Sequence, residues 1–192
     1  MSRVSLVLAS SSPRRKELLQ SAGLEFLTDP AVGLEIHDPS LGLAALVTSN
    51  ARAKALEVAA RHPQSIVLGA DTLVWLEGNA LGKPRDKAEA RRMLRALSGR
   101  VHEVATGVHL ARWEPRQQAE FHEITRVRFR DYDDQTIAEY MDSVDVMDKA
   151  GAYALQERSE LLVESVEGSR SNVVGLPVER TLAALAHHFN WP

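Results

Sequence analysis

The chain has 192 residues, of which 44% are hydrophobic, so it can bury a sizeable core, and we expect one domain spanning residues 1–192. Its net charge of -3 argues against a general binder of nucleic acids or membrane surfaces, because such proteins carry a basic excess. The absence of cysteine excludes disulfides, thiolate metal sites and cysteine nucleophiles. The apolar run at residues 4–9 is too short for a signal peptide or a membrane span, so we expect a cytoplasmic protein.

Residues 8–19 read LASSSPRRKELL and predict a strand that passes through a serine-rich turn into a basic helix. Ser12 is a favourable N-cap and proline follows it, so we expect a helix from about residue 13 to residue 22. The free N–H groups of its first turn, with Arg14 and Arg15, are suited to bind a phosphate. Taken alone, such a loop is more often an ordinary capped helix start with solvated arginines, and only the rest of the chain favours the anion site.

The next segment predicts a short strand at residues 24–27 and then an irregular stretch that holds Glu35 among apolar neighbours. From about residue 41 to residue 61 the apolar positions recur at helical spacing. Lys54 lies in or beside that apolar stripe. A phosphate-binding ammonium and a solvated ammonium on a buried stem are about equally expected there.

Residues 65–78, SIVLGADTLVWLEG, place Asp71 and Thr72 inside an apolar strand. An acid in such a strand is costly unless it is paired or binds a metal, so either a structural salt bridge or a functional site explains it. The Gly-Asn pair that follows predicts a tight turn. That turn would bring Lys83 back along a neighbouring strand toward Asp71.

The second half of the chain is dominated by two strands, at residues 101–113 and 119–130, which we expect to pair as an antiparallel hairpin. Three histidines on these strands match no metal-binding spacing, and we expect them to face solvent: His102, His109 and His122. The other predicted elements are helices at 86–99, 133–142 and 178–189, a strand at 161–166, an irregular segment at 144–157, and a glycine-bounded loop at GSRSNVVGLP.

The candidate residues combine cations with carboxylates. The cations are Arg14, Arg15, Lys54 and Lys83, and the carboxylates are Glu35, Asp71 and Asp148. Carboxylates of this kind hold Mg²⁺ through one or two oxygen ligands together with substrate phosphates, so the set predicts a metal-bound polyphosphate. Hydrolysis of a phosphoanhydride needs neutralised phosphates and a water activated by a general base. The sequence contains no GxxxxGK[ST] loop and no GxSxG elbow, which argues against a P-loop nucleotidase and an esterase.

Six motifs occur in order along nearly the whole chain: LASSSPRRKELL, GADTLV, GKP, LSGRVHEVATGV, DKAGAYALQ and SNVVGLPVE. On these motifs the chain resembles the Maf family of nucleoside triphosphate pyrophosphatases. The resemblance implies an elongated α/β fold with a central mixed sheet and a cleft between two lobes, related to the inosine triphosphate pyrophosphatases. It also implies a homodimer and hydrolysis between the α and β phosphates with a divalent cation, Mg²⁺ or Mn²⁺.

The family motifs assign roles to individual residues. Asp71 of GADT is implied as the proton acceptor, and Asp71 with Glu35 are the candidate metal ligands. Ser10, Arg14, Lys54 and Lys83 match positions that contact phosphate, and the helix-start argument adds Arg15 to these substrate-binding candidates.

Three positions distinguish subgroups of the family, and here they are occupied by Arg14, Thr72 and Gln156. The group acting on dTTP and UTP has SPRR, DT and a glutamine, whereas the group acting on 7-methyl-GTP has SPWRR, DQ and a glutamate. All three residues therefore indicate the pyrimidine group. The amide of Gln156 can meet both the N3–H donor and the carbonyl acceptors of thymine or uracil.

Two other functions remain open at this point. The family is also associated with inhibition of septum formation, so a regulatory protein could bind a nucleotide in the cleft without turnover. A sensor does not require an acid buried beside phosphate-binding cations, which favours the enzyme. A broader enzyme could remove modified nucleotides such as 5-methyl-UTP or pseudo-UTP, because a pocket discriminates a methyl group by only about 10- to 200-fold.

Overall fold

In a computed structural model of the chain, residues 5–191 are described. Residues 1–4 and 192 of the predicted domain lie outside this range, and so does residue 4 of the apolar run at residues 4–9. The strands are β1 (Leu6–Leu8), β2 (Phe26–Thr28), β3 (Ile66–Leu76), β4 (Asn79–Leu81), β5 (Val101–Arg112), β6 (Gln117–Phe129) and β7 (Val163–Glu167). The α-helices are α1 (Pro13–Ser21), α2 (Leu43–Ala59), α3 (Lys87–Leu97), α4 (Asp134–Ser143), α5 (Arg170–Val174) and α6 (Val178–Phe189). Short 3-10 turns occupy Pro39–Leu41, Ala150–Ala152 and Ser159–Leu161.

The seven strands form one mixed sheet in the order β2-β1-β3-β5-β6-β7, with β4 attached to the end of β3. Strand β1 is parallel to β2 and β3, whereas β3, β5, β6 and β7 are successively antiparallel. The predicted hairpin is confirmed, because β5 and β6 pair over their full lengths. The α/β fold class is therefore confirmed as a mixed sheet flanked by helices.

Two apolar clusters lie at opposite ends of one face of the long strands. The first joins α3 and α4 to the sheet around Leu94, Ile137 and Phe129. The second joins α1 and α6 to the sheet around Leu19 and Leu185. Between the two clusters the same face carries hydroxyl and amide side chains in place of apolar ones, so the sheet has a polar belt across its middle.

The opposite face of the sheet is covered by α2, which approaches the strands at two glycines. A Cβ atom on Gly69 would lie 2.3 Å from the carbonyl oxygen of Ala51, and one on Gly107 would lie 2.4 Å from the carbonyl oxygen of Val47. Only a residue without a side chain allows the helix backbone to come so close. Because Gly107 pairs directly with Asp71 in the register of β3 and β5, the contact brings α2 next to that acid.

Two predictions for the second half of the chain are wrong. His102 and His109 are not solvent-facing, with exposed fractions of only 2% and 1%, whereas His122 is exposed as expected. The two histidines lie on opposite faces of β5, and elements pack against both faces of the sheet there, which alternation along one strand does not reveal. The predicted loop GSRSNVVGLP contains helix α5, whose N-cap Ser169 accepts a hydrogen bond from the backbone N–H of Asn172.

One local prediction differs from the structure in detail. The reversal between β3 and β4 is formed by Glu77 and Gly78, both with positive φ, one residue earlier than expected. At the start of α3, Asp86 accepts a hydrogen bond from the N–H of Glu89, and the Glu89 carboxylate accepts one from the N–H of Arg85.

Candidate active site

A cleft of about 570 Å³ opens where the edge of β3 has no paired strand. Strand β1 accompanies β3 only as far as Leu68, and β4 begins to pair at Val74. The intervening residues of β3 thus lie outside the carboxyl end of β1, the position where open α/β sheets commonly bind ligands. Side chains from both faces of the strand, Asp71 on one and Thr72 on the other, line the cleft.

Asp71 lies deep in the cleft and is paired with two residues of α2. Its side chain is 7% exposed, and its Oδ1 is 2.7 Å from the ammonium nitrogen of Lys54. Its Oδ2 accepts a hydrogen bond of 3.1 Å from the amide of Asn50. The Lys54 ammonium is therefore not solvated, which was one of the two expectations for it. The salt bridge that was one of the two explanations for Asp71 is present, and it lies within the cleft.

The same Lys54 ammonium is 2.6 Å from the carboxylate of Glu35, so two carboxylates converge on one cation. Burial would raise the pKa of Glu35, but the hydrogen bond and charge of Lys54 outweigh it, with smaller effects from His37 and Lys83, and the pKa is lowered. Glu35 thus remains ionised although it is half-buried. Its carboxylate and that of Asp71 form an acceptor pair open to the cleft.

Arg15 binds residues from three parts of the chain. Its guanidinium donates to the hydroxyl of Ser10 at 3.1 Å, to the hydroxyl of Thr72 at 3.0 Å and to the carbonyl of Gly175 at 2.9 Å. Burial lowers the pKa of Arg15, while the charge of Asp71 opposes that effect. Because its donors are held by neutral acceptors, Arg15 is fixed in direction and keeps its positive charge for a ligand.

Thr72 is connected to the polar belt between the two apolar clusters. Its hydroxyl lies 2.9 Å from the hydroxyl of Thr106, which in turn donates to the carbonyl of Asn172 at 3.1 Å. The Asn172 side chain is fully buried and donates to the carbonyl of Val104 and to the hydroxyl of Thr125. Helix α5, which the sequence did not predict, therefore fixes the floor beneath Thr72.

Arg14 lies across the cleft from this floor and is paired with the irregular segment at residues 144–157. Its guanidinium donates to the Asp148 carboxylate at 2.8 Å and to the Asp148 carbonyl at 3.1 Å. Lys149 is almost completely buried and also reaches Asp148, at 2.8 Å. Burial would raise the pKa of Asp148, but Lys149 and Arg14 together lower it. Both cations thus occupy the Asp148 carboxylate.

The remaining predicted residues are distributed around the same cleft. Lys83 and Gln156 both line it and are exposed, consistent with groups that meet a ligand. Ser10 is buried and directs its hydroxyl to Arg15, so among the phosphate-binding candidates it is the one that supports another residue. The structure thus brings the predicted residues to one cleft, except that Ser10 lies behind Arg15 and does not line it, and their individual roles remain predictions.

The cleft has a positive excess although the chain as a whole has a charge of -3. Six cationic side chains line it against three carboxylates. The six are Arg14, Arg15, Lys54, Lys83, Arg85 and Lys149, and the three are Glu35, Asp71 and Asp148. A cleft lined in this way has a positive electrostatic potential and favours a ligand with several negative charges.

Four residues of the site were not identified from the sequence. Asn50, His37, Arg85 and Lys149 all contact or line the cleft. Asn50 lies one helical turn before Lys54, so the spacing of α2 was a usable signal for it. The other three belong to stretches without regular periodicity, and no pattern in the sequence indicates which way they face.

The carboxylates of the cleft fit a divalent cation that would bind to the protein and the substrate together. No group of three or more His, Cys, Asp or Glu side chains in residues 5–191 is arranged to hold a metal by itself. The carboxylates of Glu35 and Asp71, however, both approach a single cationic centre within 2.7 Å, the ammonium of Lys54. Two hard oxygen ligands completed by phosphate oxygens and water are the usual environment of Mg²⁺ beside a nucleotide.

Comparison with known proteins gives consistent matches over nearly the full chain. The sequence profile of the family described as Maf-like protein matches residues 5–188. A dTTP/UTP pyrophosphatase of Akkermansia muciniphila is 47% identical over 180 residues, covering 94% of each chain. The dTTP/UTP pyrophosphatase of Symbiobacterium thermophilum is 47% identical over 189 residues, covering 97% of this chain and 95% of that protein. The one of Myxococcus xanthus is 48% identical over 180 residues, covering 94% and 90%.

Proposed function

The chain belongs to the Maf-like protein family, and on that basis we propose that it is a nucleoside triphosphate pyrophosphatase that hydrolyses dTTP and UTP. The products are the nucleoside monophosphate and pyrophosphate. The observation that carries this proposal is the buried carboxylate of Asp71 at the floor of a cleft with a positive excess. A nucleoside triphosphate supplies the negative charge that this cleft lacks, and the relatives named dTTP/UTP pyrophosphatases support the choice of reaction.

In the proposed reaction a water molecule attacks the substrate phosphate beside Asp71. The water oxygen forms a bond to the α phosphorus, and the bond from that phosphorus to the α–β bridging oxygen breaks. Pyrophosphate leaves with the bridging oxygen, and the proton of the water passes to the Asp71 carboxylate, which acts as general base. Each Asp71 oxygen already accepts one hydrogen bond, which leaves further lone pairs for the water.

The cations of the cleft neutralise charge on the phosphates. Arg15 is held rigidly by three acceptors, so it offers a preorganised positive charge. Lys54 and Arg14 are instead paired with carboxylates, and a bound triphosphate would compete with those carboxylates for them. Lys83 is exposed and completes the set at the mouth of the cleft.

We propose that Glu35 and Asp71 hold Mg²⁺ or Mn²⁺ together with the substrate phosphates. When bound, the metal supplies neutralisation of the negative charge that develops on the phosphate oxygens. The Lys54 ammonium contacts both of these carboxylates before substrate arrives, and its hydrogen bond and charge lower the pKa of Glu35.

The preference for pyrimidine bases is assigned to Arg14, Thr72 and Gln156. Gln156 is the member that is free to contact a base, because it lines the cleft and is exposed. Thr72 contacts Arg15 and Thr106, so its effect on specificity would pass through those residues. The apolar wall near Gln156 includes Tyr153 and Leu155, which provides a surface for a planar base.

A homodimer in the cytoplasm is part of the proposal. The described residues contain no helix that is long and apolar enough to cross a membrane. On the sheet face that α2 packs against, Val101 and Ile124 are 40% and 41% exposed. Apolar surface of this kind supports an interface with a second copy, and the nucleotide substrate supports the cytoplasmic location.

The test is pyrophosphate release from dTTP, UTP, CTP, GTP and 7-methyl-GTP with Mg²⁺ or Mn²⁺, each with and without EDTA. We expect release that is confined to dTTP and UTP and is abolished by EDTA. The variant Gln156→Glu should keep turnover but lose preference for the pyrimidines, because a carboxylate cannot donate to their carbonyls. Nucleotide binding without release from any substrate would contradict the proposed enzyme and favour a sensor.

A further inference from the structure

The side chain of Asn50 contacts both the carboxylate of Asp71 and the backbone of Ile36, the residue next to Glu35. It lies in α2, is 3% exposed, and makes three hydrogen bonds outside its own helix. Its Oδ1 accepts from the backbone N–H of Ile36 at 2.8 Å, and its Nδ2 donates to the backbone carbonyl of the same residue at 3.1 Å. The Nδ2 group also donates to the Asp71 carboxylate at 3.1 Å.

These contacts fix the orientation of the amide group. The N–H of Ile36 requires an acceptor, and the Asp71 carboxylate requires a donor, so the oxygen must face Ile36 and the nitrogen must face Asp71. No other side chain of this size and shape offers both functions. Aspartate has no donor, and leucine has neither a donor nor an acceptor.

The residue that Asn50 holds is the neighbour of Glu35. The segment at residues 29–42, which carries Glu35, has no strand or α-helix and is largely exposed. The start of the segment is held by Arg61 and His62 through Asp29, and by Glu57, whose carboxylate accepts from the N–H groups of Val32 and Gly33 at 3.0 and 2.9 Å. Without Asn50, the portion around Glu35 would lose its backbone hydrogen bonds to α2, keep only the Lys54 salt bridge of Glu35 to that helix, and gain conformational freedom.

We propose that Asn50 is a positioning residue that holds the carboxylate of Glu35 opposite that of Asp71. It acts on Glu35 through the backbone of Ile36 and on Asp71 directly, so one rigid amide sets the separation of the two acids. In that arrangement the two acids share the Lys54 ammonium. The catalytic part of this proposal rests on the proposed pyrophosphatase function, whereas the structural part does not.

The test compares three variants by steady-state kinetics with dTTP and by hydrogen–deuterium exchange of the peptide that contains Ile36. Asn50→Leu removes all three hydrogen bonds while it keeps the approximate volume. Asn50→Asp keeps the acceptor for the Ile36 N–H but cannot donate to Asp71. Glu57→Ala is the matched control, because it frees the other end of the segment and touches neither Asp71 nor Glu35.

For Asn50→Leu we expect kcat to fall by about 10- to 100-fold, the usual effect of removing a group that orients metal ligands, with a smaller change in KM. Exchange at Ile36 should become at least about tenfold faster, because its N–H loses its acceptor. Asn50→Asp should lose kcat to a similar extent while exchange at Ile36 accelerates less. Glu57→Ala should accelerate exchange at Val32 and Gly33 and keep kcat within about threefold of the wild type.

Two results would overturn the proposal. A folded Asn50→Leu protein with unchanged exchange at Ile36 would show that the amide does not hold the segment. A Glu57→Ala protein that loses as much kcat as Asn50→Leu would assign the effect to the segment as a whole. A wild-type protein that releases no pyrophosphate would contradict the proposed function instead, and the exchange experiment would still decide whether Asn50 positions the segment.

Discussion

Asp71 and Thr72 are adjacent in β3, yet their side chains enter very different environments because successive residues of a strand face opposite sides of the sheet. Asp71 faces α2, where it contacts an ammonium and an amide. Thr72 faces α1 and α5, where it contacts the Arg15 guanidinium and a belt of neutral hydroxyl and amide groups. Both residues line the same cleft.

The difference lies in how the charges are held. On the Asp71 face the ion pairs connect long side chains, such as Lys54, that can exchange one partner for another when a substrate enters. On the Thr72 face the cation Arg15 is held by neutral acceptors and has no carboxylate to release. In the proposed function, the Asp71 side of β3 would carry out the chemistry and the Thr72 side would provide a fixed receptor for phosphate.

The largest effect is expected when the Asp71 face loses its carboxylate. Asp71→Asn keeps the size of the side chain but removes the proton acceptor, so kcat should fall by about 10²- to 10⁴-fold, the range for loss of a general base. Pyrophosphate release from dTTP measures the rate, and thermal unfolding checks that the variant is folded. A folded variant with a rate close to that of the wild type would remove the general-base assignment.

The next effect is expected when α2 is pushed away from the Asp71 face. A Cβ atom at position 107 would lie 2.4 Å from the backbone of Val47, so Gly107→Ala should displace the helix and destabilise the protein by about 1–3 kcal/mol. The kcat should fall as well, because Lys54 and Asn50 would move with α2. Urea unfolding measures the stability change.

Gly82→Ala is the control for that substitution, because a Cβ atom at position 82 would meet no atom within 4 Å. Its unfolding midpoint should stay close to that of the wild type. Equal losses of stability in the two variants would contradict the argument that the close approach of α2 requires glycine at position 107.

Acid should destabilise the protein through His102, whose side chain lies on the same face of the sheet as Thr72. Burial lowers the pKa of His102 from 6.5 to about 4, and its Nε2 lies 2.8 Å from the hydroxyl of Tyr153. Between those two pH values the unfolded chain binds a proton that the folded chain does not, so stability falls as the pH is lowered through that window. From pH 7 to pH 5 the loss should be about 1–2 kcal/mol.

Urea unfolding at pH 7 and pH 5 measures this loss, with His102→Gln as the variant that has no titrating group at that position. The free energy of unfolding of His102→Gln should depend less on pH than that of the wild type. His122→Gln, at an exposed histidine, should behave like the wild type. The same pH dependence in all three proteins would show that His102 is not the source.

The smallest effect is expected at Thr72 itself. Thr72→Val removes the hydroxyl that accepts from Arg15 and keeps the shape of the side chain, so KM for dTTP should rise by about 3- to 10-fold with little change in kcat. Thr72→Ser retains the hydroxyl and should restore KM. Steady-state kinetics of both variants provide the measurement, and a loss confined to kcat would contradict a role in fixing the phosphate receptor.

Much of the fold could be predicted from local patterns. The helix start at Ser12 and Pro13, the hairpin of β5 and β6, and helix α6 agree with the structure because capping residues, alternation and helical periodicity act over short distances. The five residues of α5 were expected to be a loop, because a single helical turn has no detectable periodicity. His102 and His109 were expected at the surface, because a strand pattern does not tell whether its second face is covered.

The sequence alone predicted the type of site, because the acid within an apolar strand and the motifs along the rest of the chain favoured an anion site at the arginines after the serine-rich turn. Only the tertiary structure decided which groups surround each of these charged residues. The Arg15 guanidinium is held by neutral acceptors and the Lys54 ammonium by two carboxylates, although both are cations on helices. That distinction depends on which groups surround each charge after folding, and Asn50, Thr106 and Gly175 are brought there by contacts between distant parts of the chain.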